Sequence, residues 1–225
     1  MHLLNNYDAY IFDCDGVILD SNALKISAMK CTLLELKFTE QETERCVRFF
    51  SDNFGKSRFY HIQHFVNEVL DIAHEKREDF NKKILSSYSS KCTELYLKSS
   101  LTPNFIEFIE SLPGDKYVAS GSEQEELRNV FKLRGLDKYF REVFGSPTKK
   151  TILVKNIVEK NECKKILMIG DAVSDYEASE ENGIDFVCYI PFSNVENRMN
   201  ELASVEKFEL LQSWPITQES EVITL

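Results

Sequence analysis

The chain has 225 residues, 43% of them hydrophobic and 28% charged, ordinary values for a folded protein with material for a sizeable core. Its formal charge of −10, from 37 acidic against 27 basic side chains, argues against a broad nucleic-acid surface, which needs a basic patch. There is no run of about 18 apolar residues to cross a membrane, and Met1–Tyr10 lacks the basic start and apolar stretch of a signal peptide, so a cytoplasmic setting is expected.

The first predicted element is a short buried strand over 7–13, ending in "IFDCDGVILDS". From Ser21 to Lys98 the pattern turns helical. Ile26, Met29, Leu33 and Leu36 form one stripe; Ile62, Phe65, Val66, Val69 and Ala73 a second; Phe80, Ile84, Tyr88, Cys92 and Leu95 a third. Thr39 with Glu42 reads as a capping box opening one more helix. Three or four antiparallel helices packed on one another are expected here.

After Leu101 strands and helices alternate. Thr102-Pro103 predicts a helix start with Pro at its first position, and "LPG" at 112–114 its stop. "YVAS" (117–120) reads as a strand, and Ser122 with Glu125 as the cap of a helix ending near Gly135. "EVFGS" follows, then a helix over 149–160. "KILMIGD" (165–171) is the clearest buried parallel strand; Ser174 and Glu177 cap a short helix that Asn182-Gly183 ends; "DFVCYI" (185–190) is a further strand. This alternation predicts an α/β fold, a parallel Rossmann-like sheet covered on both faces. The expected domains are a core of 1–19 and 99–225 and an inserted α-helical cap of 20–98.

Chemistry-bearing residues collect at the carboxyl ends of these strands, where open α/β sheets bind ligands. Asp13 and Asp15 follow the first strand, Ser120 ends "YVAS", Lys149 follows "EVFGSPT", and Asp171 and Asp175 follow "KILMIG". Clustered carboxylates need a cation, and hard oxygen ligands suit magnesium. With the cluster partly neutralised, one carboxylate can act as nucleophile while another trades a proton. The six cysteines (14, 31, 46, 92, 163 and 188) form no C-x-x-C pair and read as reduced buried thiols rather than zinc ligands. His61 and His64, spaced three apart, lack a third ligand nearby and read as ordinary helix residues.

"DCDGVILDS", Ser120 in "VASGS", Lys149 in "GSPTKK" and "GDAVSD" resemble, in order, the four motifs of the haloacid dehalogenase-like hydrolases. The resemblance runs from Tyr7 to about Pro191 and is closest to the subgroup of phosphoglycolate phosphatase and β-phosphoglucomutase. It implies that Asp13 attacks phosphorus to form an aspartyl-phosphate, and that Asp15 protonates the leaving oxygen and then activates water. Ser120 and Lys149 would bind the phosphoryl oxygens; Asp13, Asp15 through its carbonyl, Asp171 and Asp175 would hold or support magnesium. Lys150 is an alternative to Lys149; the latter is preferred because Ile152 and Leu153 then fall three and four residues on. "FGKSR" (54–58) is similar to a cap loop that contacts a distal phosphate, which implies a specificity role for Arg58. The activity so implied is a magnesium-dependent phosphatase for a small phosphorylated metabolite, possibly a sugar phosphate. A phosphosugar mutase is the enzyme alternative, and a phosphorylatable receiver-type module the non-enzyme one. Glu123 and Gln124 after Ser120 disfavour the mutase; the helical insert disfavours the receiver.

Overall fold

The computed structural model describes residues 4–161 and 164–215. Cys163 therefore lies outside the described residues, as do both ends of the expected core. Six strands make one parallel sheet in the order β3-β2-β1-β4-β5-β6: β1 (Ala9–Phe12), β2 (Asp115–Glu123), β3 (Glu142–Ser146), β4 (Ile166–Gly170), β5 (Asp185–Tyr189) and β6 (Glu209–Leu211). The chain progresses outward in both directions from β1, so the topological switch falls between β1 and β4, which pair directly from Ala9↔Ile166 to Phe12↔Ile169.

Both central strands are buried along their whole length, as a sheet covered on both faces demands. The two-residue period sorts their side chains. Tyr10, Phe12, Leu167 and Ile169 join one apolar cluster with Phe105, Phe108, Leu127 and Phe131. Ala9, Ile11, Ile166 and Met168 join the other with Leu153, Val154, Ile157 and Ala178. The covering helices are α5 (Phe105–Ser111) and α6 (Gln124–Leu133) on the first face, α7 (Lys150–Lys160) and α8 (Val173–Glu181) on the second, with α9 (Glu196–Glu206) preceding β6. α9 and β6 lie beyond the last strand read from the sequence.

The insert after β1 holds α1 (Asn22–Glu35), α2 (Glu40–Asp52), α3 (Arg58–His64) and α4 (Arg77–Lys98). Thr39 and Glu42 form the expected capping box on α2. The second stripe ends early: α3 runs into a π turn over Phe65–Val69, Leu70 is extended, and Ala73 is exposed while Ile72 is buried in its place.

Three expected helix starts are moved, the first two because the capping side chain is used elsewhere, the third although the Ser174 hydroxyl finds no hydrogen-bond partner. α5 begins at Phe105, because the Thr102 hydroxyl donates to the Val17 carbonyl at 2.6 Å and accepts from the Trp214 indole at 2.9 Å. α6 is capped by Glu123, which accepts from the Glu125 and Glu126 amides, and the Ser122 hydroxyl turns to Asp15 instead. α8 begins at Val173, with Asp175 rather than Glu177 closing its first turn.

Candidate active site

The carboxyl ends of β1, β2 and β4 and the amino ends of α7 and α8 converge at the switch point, and the helical insert lies over them. Asp13 continues β1 by donating its amide to the Ile169 carbonyl at 2.9 Å. Gly16, at φ +77°, makes the turn that follows; a side chain there would collide with the Asp171 carboxylate and the Asn22 amide. Asp13, Asp171 and Asp175 are all buried, with one carboxylate oxygen of each lying within 4.8 Å of the others.

The lysine at this cluster is Lys150, which corrects the expectation of Lys149. The buried stripe of α7 is Leu153, Val154 and Ile157, so helical periodicity carries Lys150 onto the inward face. Lys149 flanks the helix start and is exposed, as is Ile152. The Lys150 ammonium donates to Asp175 Oδ1 at 2.5 Å and stands 3.0 Å from Asp13 Oδ1, an ion pair not aligned as a hydrogen bond. Asp175 Oδ2 accepts from the Asp171 and Ala172 amides. Both Asp175 oxygens are thus engaged, which suits an orienting group better than a ligand with free lone pairs. Asp13 Oδ1 and Asp171 Oδ1 are buried and accept no hydrogen bond. Asp171 Oδ2 accepts from the Asn22 side chain at 2.7 Å.

Burial pushes the Asp13 carboxyl up to about 7, with Lys150 pulling down and the Asp175 and Asp15 charges adding to the rise. Burial, with the Asp13 and Asp175 charges, holds Asp171 well above the ordinary carboxylate range. The cluster strains against full ionisation, and the two oxygens that accept no hydrogen bond point to what relieves it. Four buried carboxylates (13, 15, 171 and 175) face two ammonium groups, Lys150 and Lys25. One divalent cation would balance the difference, and the all-oxygen donor set fits a hard cation such as magnesium.

Asp15 has a different environment, built largely from residues that the sequence reading passed over. Its carboxylate accepts from Ser21 at 2.6 Å, from Lys25 at 2.8 Å, from Ser122 at 2.8 Å and from Tyr96 at 3.0 and 3.1 Å. Burial opposes its charge, but Lys25 and these hydroxyls outweigh burial and hold Asp15 below the ordinary carboxylate range. Two of these donors carried a legible signal. Lys25 interrupts the inward face Asn22-Lys25-Met29 of α1, and Tyr96 extends the run Tyr88-Cys92 of α4 by one turn.

Ser120 is buried at the end of β2, where its hydroxyl accepts from the Ser122 amide at 3.1 Å. Arg58 reaches the site's edge, but its guanidinium is bound by Glu126 of α6 and by Ser89 of α4, the latter at 2.8 Å. The fork expected to contact a distal phosphate is occupied by a carboxylate of the chain itself. Gly55 of the same loop packs on Gly121 of β2; a side chain on Gly121 would drive into the Gly55 carbonyl. The cavity left between the insert and Asp13–Asp15 is about 10 Å³, room for about one water.

A model of haloacid dehalogenase-like hydrolases matches residues 10–189, and the chain belongs to this family. It is similar in fold to a predicted phosphatase from Clostridium acetobutylicum, with TM-score 0.71 and 15% identity over 91% of this chain and 93% of that one. A predicted phosphoglycolate phosphatase from Haemophilus somnus gives TM-score 0.70 and 16% identity over 93% and 95%. CbbY from Rhodobacter sphaeroides, solved with phosphate, gives 0.67 and 14% over 92% and 95%. No curated protein sequence matches significantly.

Proposed function

We propose that the protein is a magnesium-dependent phosphatase of small phosphomonoesters, with residues 20–98 acting as a cap over a core of 1–19 and 99–225. The observation that carries this reading is the pair of buried oxygens that accept no hydrogen bond, Asp171 Oδ1 and the Lys150-paired Asp13 Oδ1, at the switch point. The phosphatase names of structures with the same fold support it. Asp13 and Asp171 would hold the ion, with the Asp15 carbonyl and with Asp175 as an orienting group. The ion would supply charge neutralisation to a transferring phosphoryl group.

Asp13 would attack phosphorus as the bond to the alcohol oxygen breaks, and Asp15, which must first take up a proton from solvent against the pull of Lys25, would give that oxygen the proton. Asp15, ionised again, would take a proton from water as the water attacks phosphorus and frees Asp13. Lys150, rather than Lys149, would offset charge on Asp13 and on the phosphoryl oxygens, and Ser120 would contact those oxygens. Catalysis would rest on positioning and preorganised charge.

Hydrolysis is preferred over mutase chemistry because Arg58, the cap cation that would hold a second phosphate, is paired with Glu126. A cytoplasmic setting accords with the free cysteines at 14, 31, 46, 92 and 188. Among the described residues no helix is long and apolar enough to cross a membrane. The test is phosphate release from p-nitrophenyl phosphate and a panel of phosphorylated metabolites, with and without magnesium. Metal-dependent release is expected; no release from any of them would overturn the reading.

A further inference from the structure

We propose that Glu126 is a specificity-determining residue: by neutralising Arg58 inside the pocket, it restricts the enzyme to phosphomonoesters whose alcohol carries no second anionic group. This rests on the phosphatase reading and narrows its substrate class.

The space facing Asp13 and Asp15 is walled by aromatic groups, Phe50, Phe54 and Tyr88, and by three cations from the insert, Lys25, Lys56 and Arg58. The two buried cations are already paired. Lys25 is bound to Asp15 and Ser122, with the Phe54 and Tyr96 rings 5.3 and 5.6 Å from its ammonium. Arg58 lies against the Tyr88 ring, and its guanidinium is bound by Glu126 and Ser89. The Arg58 and Glu126 side chains are 4% and 9% exposed, so the pair is screened little by solvent. Glu126 is fixed from a second side by the Thr93 hydroxyl, 3.1 Å from its other oxygen. His61, whose imidazole burial pushes down to about 3, adds no charge near neutrality. Lys56 is exposed at the rim beside the Tyr60 ring, where water screens it.

A carboxylate or second phosphate on the alcohol would therefore enter a pocket whose inner cations are spoken for. It would remain unpaired, or displace Glu126 and leave that carboxylate buried without its cation; both are costly. An alcohol bearing only hydroxyl or apolar groups meets neither penalty. The discrimination comes from a repulsive element built into the site, as specificity often requires.

The matched pair is 2-hydroxyethyl phosphate and phosphoglycolate, alike in size and differing in one charged group. The wild-type protein with magnesium is expected to favour hydroxyethyl phosphate by at least about tenfold in kcat/KM. Glu126→Gln keeps the shape, frees the Arg58 charge, and should cut that ratio by about tenfold, mainly through KM for phosphoglycolate. Adding Arg58→Gln to Glu126→Gln should abolish the gain. A wild-type preference for phosphoglycolate would overturn the proposal, and this measurement stands even if the variants fail to fold. So would equal effects of Glu126→Gln on both substrates, the mark of a contact that merely holds the insert closed. Release of phosphate from neither substrate nor from p-nitrophenyl phosphate would overturn the phosphatase reading itself, and this proposal with it.

Discussion

Replacing Lys150 by methionine, beside the same change at Lys149, tests the centre of the site. Lys150 is 5% exposed and bridges two carboxylates that are themselves 2% and 0% exposed. Methionine keeps the length and apolar stem and removes only the charge and its hydrogen bond to Asp175. Removing one partner of a buried charge pair costs about 3–5 kcal/mol, because the remaining charge stays buried without compensation. That range is the expectation here, with two stranded carboxylates arguing for its upper part. Proton uptake relieves some of the loss: Asp13 already sits at about 7, so the difference from wild type widens as pH rises above neutrality and wild-type Asp13 ionises. Lys149 is exposed and makes no ion pair among the described residues, so Lys149→Met should stay within about 0.5 kcal/mol of wild type. Urea unfolding without added metal measures the stability of both. Phosphate release measures function, and a loss of at least about a hundredfold is expected for Lys150→Met alone, as for other preorganised charges. A stable, active Lys150→Met protein, or a crippled Lys149→Met one, would refute the argument.

Asp13→Asn should lower turnover on p-nitrophenyl phosphate by at least about a thousandfold, roughly 4 kcal/mol of barrier, while unfolding midpoints hold or rise because a crowded carboxylate is gone. EDTA should abolish phosphate release and magnesium restore it; in a thermal melt without substrate, magnesium should raise Tm, since it binds a folded site with excess negative charge. His61 supplies a pH signature. Burial lowers it from 6.5 to about 3, so its neutral form is required in the fold, and stability is full above pH 6.5 and lost as pH falls toward 3. By pH 3 that loss reaches about 4 kcal/mol, and His61→Gln should flatten this part of the stability profile measured by denaturant unfolding.

Much of this molecule is legible without coordinates, and the reason is local. A fully apolar run such as Ile166–Ile169, short and set between helical patterns, fits a covered parallel strand, and the acids that follow such strands then share one end of one sheet. The three helical stripes between Ser21 and Lys98 follow in the same way from a period of 3.6 residues. Asp13, Asp15, Ser120, Asp171 and Asp175 are placed at strand or helix ends by such local patterns. What tertiary structure decided is where a side chain finds its partner. Lys149 and Lys150 are chemically identical neighbours, and only the rotation of α7, set by burying Leu153, Val154 and Ile157, turns one to Asp13 and the other to water. Thr102 and Ser122 look like helix caps because their local bonding is favourable, yet Val17 and Asp15, distant in sequence, offer them buried partners instead. Lys25 and Tyr96 close on Asp15 from helices of the insert, and Glu126 reaches Arg58 across 68 positions of chain. Periodicity within one element carries no information about such meetings, since they depend on how separate elements pack and on which buried charges must be paired once they do.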